Sequence, residues 1–171
     1  YAKSAVQMGQ AEGESLILSY IRKYSPDPAA GKAQIDMATY YYNKKQYDKA
    51  AAFMDNMDLD GLSGEQRREM KFKQGYCYFV AKKFGPAQVC CRQVKEQEGK
   101  YYYPANYYDG MCSFFDSRYD PAIKSFQIAG QFSKYKPLVP YYICQIHFAK
   151  GEYEKLIAYG ESKWEDADVA N

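Results

Sequence analysis

NYYDGMCSFFDSRYDPAIKSFQIA, residues 106–129, is the stretch of the chain that decides the fold. Starting from Tyr107, its large apolar side chains fall at i, i+4, i+7 and i+8, which is one face of an α-helix. Starting from Ala122, apolar side chains fall at i, i+4 and i+7, again one helical face. The stretch therefore predicts two short helices whose apolar faces must be buried by stacking on further helices.

The residues between these two helices carry the signals of a turn. Asp120 is expected to cap the second helix through its carboxylate, and Pro121 suits the first helical position, where no backbone N–H is needed. Gly110 lies inside the first helix, where a missing side chain lets the partner helix come close. We therefore expect a close helix–helix contact at Gly110.

The same unit recurs four times along the chain. Each copy has an aromatic residue, two linking residues and then a residue, usually small, that opens the second helix. Another small residue stands twelve positions before that one, and the aromatic residues are separated by 37, 35 and 34 residues. The aromatic residues are Tyr47, Phe84, Tyr119 and Tyr153; the openers are Ala50, Ala87, Ala122 and Leu156; the earlier small positions hold Ala38, Gly75, Gly110 and Cys144.

These two marks resemble the tetratricopeptide repeat (TPR), a helix–turn–helix unit of about 34 residues. The resemblance covers about residues 31–164 and extends to a large residue at Met54 and Phe126, with Cys91 a poorer fit. It implies an all-α fold: a right-handed α-solenoid of about four TPR-like helix–turn–helix repeats plus an N-terminal helix. The predicted divisions are an N-terminal helical segment (a partial repeat) at 1–30, the solenoid at 31–164 and an acidic C-terminal tail at 165–171.

Some positions depart from the family pattern. Gln74 and Asp109 stand just before the small position, where the family usually has a leucine-like residue, so the packing there is expected to differ. Cys144 and Leu156 replace both small residues of the fourth copy, which predicts a wider helix crossing and an atypical end repeat. The extra residues of the first interval fall in 58–64, a surface loop by its composition.

The N-terminal segment and three sequence segments of the repeats add to this interpretation. Residues 1–10 are weakly helical, and Glu12–Tyr24 forms a firmer predicted helix that the following prolines end. The segments YIRKYSPDP, YYYNKKQYDKA and PANYYDGM resemble envelope-associated repeat proteins of Gram-negative bacteria. That resemblance favours a periplasmic or outer-membrane-associated location, and the start at Tyr1 rather than Met suggests part of a larger chain.

Composition excludes several classes of function. The formal charge of +2, from 23 basic and 21 acidic residues, gives no reason to expect nucleic acid as a partner. No apolar run approaches the roughly 18 residues of a transmembrane helix. The five cysteines are odd in number and include no CxxC pair, so we expect free thiols buried in helix cores. Free thiols also leave a cytoplasmic location open.

The sequence holds no signature of a catalytic, cofactor or metal site. The single histidine, His147, lies in the first helix of the last copy, with no nucleophile or carboxylate partner signalled nearby. We therefore expect a satisfied core or groove histidine. There is no HExxH motif, no Gly-rich loop between strand and helix, and no EF-hand spacing. The prediction is a protein that is not an enzyme and has no cofactor.

The first helices of the resembled repeats line a concave surface, and tyrosine there suits a binding groove because its ring packs and its hydroxyl tolerates water. Tyr42, Tyr76, Tyr107 and Tyr141 are expected in the groove, whereas Phe79 and Phe115 are expected to be mostly core. The positions carried over from the family are Ile35, Thr39, Tyr42, Asn43, Phe72, Tyr76, Phe79, Tyr107, Met111, Phe114, Phe115, Tyr141, Gln145 and Phe148.

Few charges fall among these positions, which favours an extended peptide with apolar anchors, or a neighbouring helix, over an acidic peptide terminus. Two functions stay open. One is an interaction scaffold that binds a protein or peptide partner in an aromatic concave groove. The other is a structural segment of a longer multi-repeat superhelix in the cell envelope, whose groove is filled by its own chain. The length of the natural open reading frame distinguishes them.

Overall fold

The computed structural model describes residues 11–24 and 27–164, apart from the side chains of Ala11, Pro28 and Trp164. Within these ranges the chain forms nine helices and no strand. The expectations for residues 1–10 and for the tail at 165–171 lie outside the described residues. The helices are α1 (Ala11–Tyr24), α2 (Pro28–Asn43), α3 (Tyr47–Asp55), α4 (Gly64–Val80), α5 (Phe84–Val94), α6 (Tyr102–Phe115), α7 (Tyr119–Ala129), α8 (Val139–Ala149) and α9 (Tyr153–Trp164).

The helices belong to two compact units, Tyr1–Lys82 with α1–α4 (unit 1) and Lys83–Asn171 with α5–α9 (unit 2). Within each unit, every helix packs mainly against the next one in the sequence. This is how stacked helix pairs bury apolar faces that one pair alone leaves exposed. The predicted all-α fold of TPR-like helix pairs is confirmed. The first helix of the first pair begins at Pro28 rather than at residue 31, because the Asp27 carboxylate accepts a 2.7 Å hydrogen bond from the Ala29 N–H.

One residue with left-handed backbone geometry ends the first helix of every pair. These residues have φ values of 57°, 58°, 57° and 69° at Lys45, Lys82, Ser117 and Gly151. In the third pair, the Ser117 N–H donates to Phe114 O (3.0 Å) and the Arg118 N–H donates to Ser113 O (2.8 Å). These two bonds define a Schellman C-cap, which satisfies carbonyls that the helix end leaves without partners.

The core of unit 1 is built around the small residues of the first pair. Ala38 and Ala50 are fully buried there, among methionine and aromatic side chains. The loop at 58–64 is not wholly at the surface as predicted, because Leu62 is buried in the same core. Ser63 then starts α4 through a capping box: its hydroxyl accepts from the Gln66 N–H, and the Gln66 side chain accepts from the Ser63 N–H.

The core of unit 2 contains the close contact expected at Gly110. A Cβ atom placed on Gly110 would lie only 2.8 Å from two ring carbons of Phe126, a fully buried residue of α7. Ala122, at the other small position of this pair, is also fully buried. Gly110 is therefore where the backbone of α6 meets the aromatic core of its pair, as predicted.

The prediction for the start of α7 was wrong. The helix begins at Tyr119, its N-cap position is Arg118, and no side chain caps it. The Asp120 carboxylate instead accepts a 2.7 Å hydrogen bond from the Lys150 ammonium at the end of α8. Since Asp120 already lies inside the first turn, the Schellman turn before it sets the start of the helix, and Asp120 ties this end of α7 to the next pair.

The two polar residues that depart from the family pattern are buried with partners. The Gln74 amide donates to Asp55 Oδ1 (2.7 Å) in unit 1. In unit 2, the Asp109 carboxylate accepts from the Lys95 ammonium (2.5 Å) and from the Ser125 hydroxyl (2.8 Å). Hydrogen bonds between helices therefore replace leucine-like packing at both positions, which is the usual condition for burying polar groups.

In the last pair, the two positions that hold small residues in the other copies are less buried. Cys144 and Leu156 are both partly exposed, whereas Gly110 and Ala122 of the preceding pair are buried. This difference agrees with the atypical end repeat that the sequence predicts. Over the part of the chain that the structure describes, no helix is both long enough and apolar enough to cross a membrane.

Candidate functional site

An apolar pocket of about 470 Å³ opens on the surface of unit 2. One side of it is the face of α8 that carries Tyr141, Gln145 and Phe148 at i, i+4 and i+7, and Phe114 at the end of α6 lies on the other side. The structure thus brings together four of the predicted binding residues. Its complete lining is Phe114, Tyr119, Tyr141, Cys144, Gln145, Phe148, Ala149 and Leu156.

The pocket exists because α8 has two different faces. Ile143 and Ile146 lie on its inner face and are buried in unit 2, which leaves the opposite face to solvent. Tyr141 and Phe148 on that opposite face are 62% and 64% exposed. Both rings border the same apolar pocket, and contiguous apolar patches commonly mark interaction sites.

Aromatic packing holds the wall of the pocket in place. The ring of Phe114 meets the ring of Tyr142 edge to face at 5.6 Å between centroids. Tyr142 in turn stacks on the buried Phe126 at 5.3 Å. Such contacts stabilise by about 0.5–1.5 kcal/mol beyond the area they bury. Phe114 is therefore packed, through Tyr142, against the core of unit 2.

Among the described residues, no charged side chain lines the pocket. Two charged residues of the turn after α8 are paired: Lys150 bonds to Asp120, and Glu152 bonds to His147. The pKa of the Glu152 carboxyl is lowered to about 2, chiefly by the hydrogen bond from His147 and then by those from Lys155 and Lys150. An uncharged, aromatic and partly open surface suits an apolar side chain of a partner better than a charged group.

The predicted binding residues of unit 1 are engaged in contacts within that unit. The rings of Tyr42 and Tyr76 lie 5.6 Å apart, and both pack against Tyr47. Burial is the main cause that raises the pKa of Tyr76. Thr39 accepts a hydrogen bond of 3.0 Å from the Lys73 ammonium. Of the other positions carried over to unit 1, Asn43 is exposed, and Ile35, Phe72 and Phe79 are partly buried.

Two of the predicted groove residues of α6 lie in the packing of unit 2. Tyr107 stacks on Tyr135 at 4.5 Å and is half-buried, and burial raises its pKa above the ordinary value. Met111 is buried. Phe115 was expected to be mostly core, but it is half-exposed and stacks on Phe84 at 5.1 Å. Of the positions carried over from the family to unit 2, the exposed aromatic ones therefore lie on α8 and at the end of α6.

His147 has the carboxylate partner that the sequence did not signal. Its Nδ1 atom lies 2.8 Å from Glu152 Oε2, and the Glu152 N–H donates to the His147 carbonyl oxygen at 2.9 Å. Both bonds hold the turn between α8 and α9. Among the described residues, no group of three or more His, Cys, Asp or Glu side chains is placed to hold a metal ion. The arrangement thus fixes a turn.

All five cysteines are free thiols, as predicted. Cys77, Cys90, Cys91 and Cys112 are buried, and only Cys144, in the pocket, is partly exposed. Burial raises the pKa of the Cys77 and Cys112 thiols to about 12. These thiols are therefore neutral small hydrophobes at physiological pH rather than reactive nucleophiles.

The sequence alone missed several residues of the pocket. Tyr119, which was recognised only as the aromatic mark of its repeat, contributes a wall, and so do Cys144, Ala149 and Leu156. Tyr119 and Leu156 belong to the start of second helices, where the family pattern places no groove position. The signal that could have identified them is the larger size of Cys144 and Leu156 at positions that are small in the other copies.

Comparison with solved structures defines the class of the fold as a TPR-like helical repeat. Two structures of MamA from Desulfovibrio magneticus RS-1 are similar: a double mutant (TM-score 0.65, 16% identity, covering 96% of this chain and 93% of that one) and residues 41 to the end (TM-score 0.64, 16% identity, 97% and 93%). The nearly identical TPR-like repeats of a Podospora anserina kinesin light chain align with TM-score 0.63 and 13% identity, over 94% and 88%. Identities this low establish the fold alone. No protein-family model matches the chain, and no curated protein matches it in sequence.

Proposed function

We propose that the chain is a non-enzymatic protein–protein interaction scaffold, and that the pocket of unit 2 binds an apolar segment of a protein or peptide partner. The observation that carries the proposal is the exposure of Tyr141 and Phe148 around a pocket whose described lining residues carry no charge. TPR-like neighbours support the scaffold class, and the pocket supplies the specific site.

The chemistry of the pocket limits the kind of partner. Its walls offer ring faces and one amide, Gln145, which can exchange hydrogen bonds with a peptide backbone. A volume of about 470 Å³ accommodates one or two large apolar side chains. We therefore infer that the partner contributes a leucine-like or aromatic anchor, carried by an extended peptide or by a helix. The envelope setting that the resemblance implies remains a prediction.

The test compares two pocket variants with a matched surface control. Tyr141→Ala and Phe148→Ala remove the exposed rings, while Val89→Ala removes a 57% exposed side chain of α5 that does not line the pocket. A partner is first captured from extract of the native cell with the intact chain, and its affinity for each variant is then measured by calorimetry. If these rings are hot spots, each pocket variant should lose about 2 kcal/mol, roughly 30-fold in Kd.

Two results would overturn the proposal. One is unchanged affinity in both pocket variants. The other is a loss of affinity in Val89→Ala equal to that in the pocket variants, which would mean that the loss is not specific to the pocket. Thermal unfolding of the same variants should be close to that of the wild-type chain, because side chains exposed to this extent contribute little to the core. A large drop in Tm would instead place the tyrosine or phenylalanine in the packing.

A further inference from the structure

Within one unit, side chains at three positions of a repeat contact the first helix of the following repeat. The first is the aromatic residue that opens the second helix. In unit 2, Phe84 at this position stacks on Phe115 of α6 with centroids 5.1 Å apart. In unit 1, Tyr47 at the same position packs against Tyr76 of α4 at 5.6 Å. The ring at this position is therefore covered by the next first helix.

The second position lies four residues further along the second helix. Gln88 occupies it in α5, is buried, and donates a 2.8 Å hydrogen bond from its amide to the Ser113 hydroxyl of α6. Ala51 occupies it in α3 and is buried as well. The third position lies five residues before the opening aromatic residue. There, Tyr42 contacts Tyr76, and Phe114 contacts Tyr142 of the next first helix.

In the last described pair the same three positions hold Tyr153, Ile157 and Phe148. Their exposures are 57%, 60% and 64%, so the surface that the repeat pattern normally covers is open. We call these three residues the terminal face. Their chemistry is that of the covered positions, aromatic and aliphatic, which is what a packed helix requires. The terminal face therefore repeats the positions that join successive repeats within unit 1 and within unit 2.

The chain offers a helix of matching chemistry on α1. Ile17 and Ile21 of this helix are buried in unit 1, and the Glu14 carboxylate accepts a hydrogen bond from the Tyr41 hydroxyl. A second stripe at i, i+4 and i+8, made of Leu16, Tyr20 and Tyr24, is 44%, 39% and 45% exposed. We call this stripe the outer face of α1. A helix that is apolar on two sides requires a neighbour on each of them.

We propose that the terminal face of one copy of this chain binds the outer face of α1 of a second copy, head to tail. Both faces are apolar, with large side chains at helical spacing, and they bury each other as successive repeats do. The near-zero net charge of +2 opposes association only weakly. The contact joins two different surfaces, so it is heterologous and can repeat from copy to copy into longer assemblies. It does not require the pocket to bind a partner, although Phe148 belongs to both the pocket and the terminal face.

Sedimentation of the intact chain over a wide concentration range provides the test. The wild-type chain should show an average mass that rises with concentration beyond that of a dimer. Ile157→Glu places a charge in the terminal face, and Tyr20→Glu places one in the outer face of α1. Each variant alone should remain a monomer, and an equimolar mixture of the two should stop at a dimer, because each partner keeps one intact face. Val89→Glu, at an exposed position of α5, should associate like the wild type.

Circular dichroism of each variant shows that it is folded before its mass is interpreted. If Ile157→Glu unfolds, Tyr153→Ser tests the same face with a milder change. A wild-type chain that is monomeric at every concentration overturns the inference, and so does a Tyr20→Glu chain that still associates. Partner binding is tested separately from self-association. The Tyr141→Ala chain should no longer bind the captured partner but should still associate with itself.

Discussion

Gly110 is the residue at which a single missing methyl group sets the packing of a helix pair. A Cβ atom there would approach the Phe126 ring to 2.8 Å, and that ring is itself held by Tyr142. We expect Gly110→Ala to destabilise the fold by about 1–3 kcal/mol through overpacking. The loss exceeds the gain of about 1 kcal/mol that alanine brings to a helix interior. Chemical denaturation measures the difference.

Gly160 supplies the matched control for this substitution. It also lies inside a helix, α9, and a Cβ atom there would meet nothing within 4 Å. Gly160→Ala should therefore raise the free energy of unfolding by up to about 1 kcal/mol. If Gly110→Ala proves as stable as Gly160→Ala, the close contact between α6 and α7 is not real.

The packing of the small residues was predicted from the sequence better than the partners of the buried polar residues. The fixed phase of Gly110 and Ala122 identified a close crossing, because only small side chains fit there. Asp109 was recognised only as a departure from the pattern. Its partners, Lys95 and Ser125, come from two other helices, so no local spacing could have paired them. The periodicity of a sequence does not predict hydrogen bonds between buried side chains that are distant in the sequence.

The turn between the two helices of a pair is the element whose geometry is most uniform. Its left-handed residue is a glycine only in the last pair, at Gly151. A residue with a Cβ atom is strained in this region by roughly 1–2 kcal/mol. We therefore expect Ser117→Gly and Lys45→Gly each to stabilise the chain by about 1 kcal/mol, as measured by chemical denaturation.

Gly151→Ala is the reciprocal substitution. No atom lies within 4 Å of the added Cβ, so any loss reports backbone strain rather than a clash. It should destabilise by about 1 kcal/mol. An unchanged or higher stability for Gly151→Ala, together with a loss for Ser117→Gly, would contradict the assigned turn geometry.

Element boundaries were predicted less well than the elements themselves. The expectation that Asp120 caps α7 failed because the Schellman turn through Ser117 already brings the chain into the helix at Tyr119, two residues before the expected first helical residue, Pro121. The loop at 58–64 reads as surface from its Asp and Gly content, yet Leu62 folds back into the core of unit 1. A loop's composition describes most of its residues but not the one that anchors it.

At the scale of the whole molecule, buried ionisable groups make the fold sensitive to alkali. Burial raises the pKa of Tyr159 and of the Cys77 and Cys112 thiols to about 12. A raised pKa in the folded state means that the folded chain binds protons which the unfolded chain releases at lower pH. The stabilising contribution is complete below the unfolded values, about 8.5 for Cys and 10 for Tyr, and is lost as pH rises toward 12.

We therefore expect Tm to be steady between about pH 7 and 8 and to fall progressively between about pH 9 and 12. Phenolate absorbance should show that part of the tyrosines titrates late in the folded chain. The same titration in denaturant is the control, in which all tyrosines should ionise near pH 10. Identical titration curves with and without denaturant would contradict the burial of these groups.

The repeat pattern specifies the fold of the chain but not the exposure of its aromatic side chains. Four copies in phase predict an all-helical chain of pairs, since each copy alone cannot bury its apolar faces. The pattern does not say which aromatic side chains stay exposed. Tyr107 and Tyr141 occupy equivalent positions, yet Tyr107 stacks on Tyr135 and Tyr141 is open. Tyr135, in the segment between α7 and α8, supplies the ring that covers Tyr107.

Site-specific photo-crosslinking in the native cell distinguishes whether a protein partner binds at the proposed pocket of unit 2 or elsewhere on the chain. A photoreactive phenylalanine replaces Tyr141 in one chain and Val89, exposed on α5 but outside the pocket, in another. Our account predicts a covalent adduct of defined mass from position 141 and none of that mass from position 89. Adducts from position 89 with none from position 141 would contradict it.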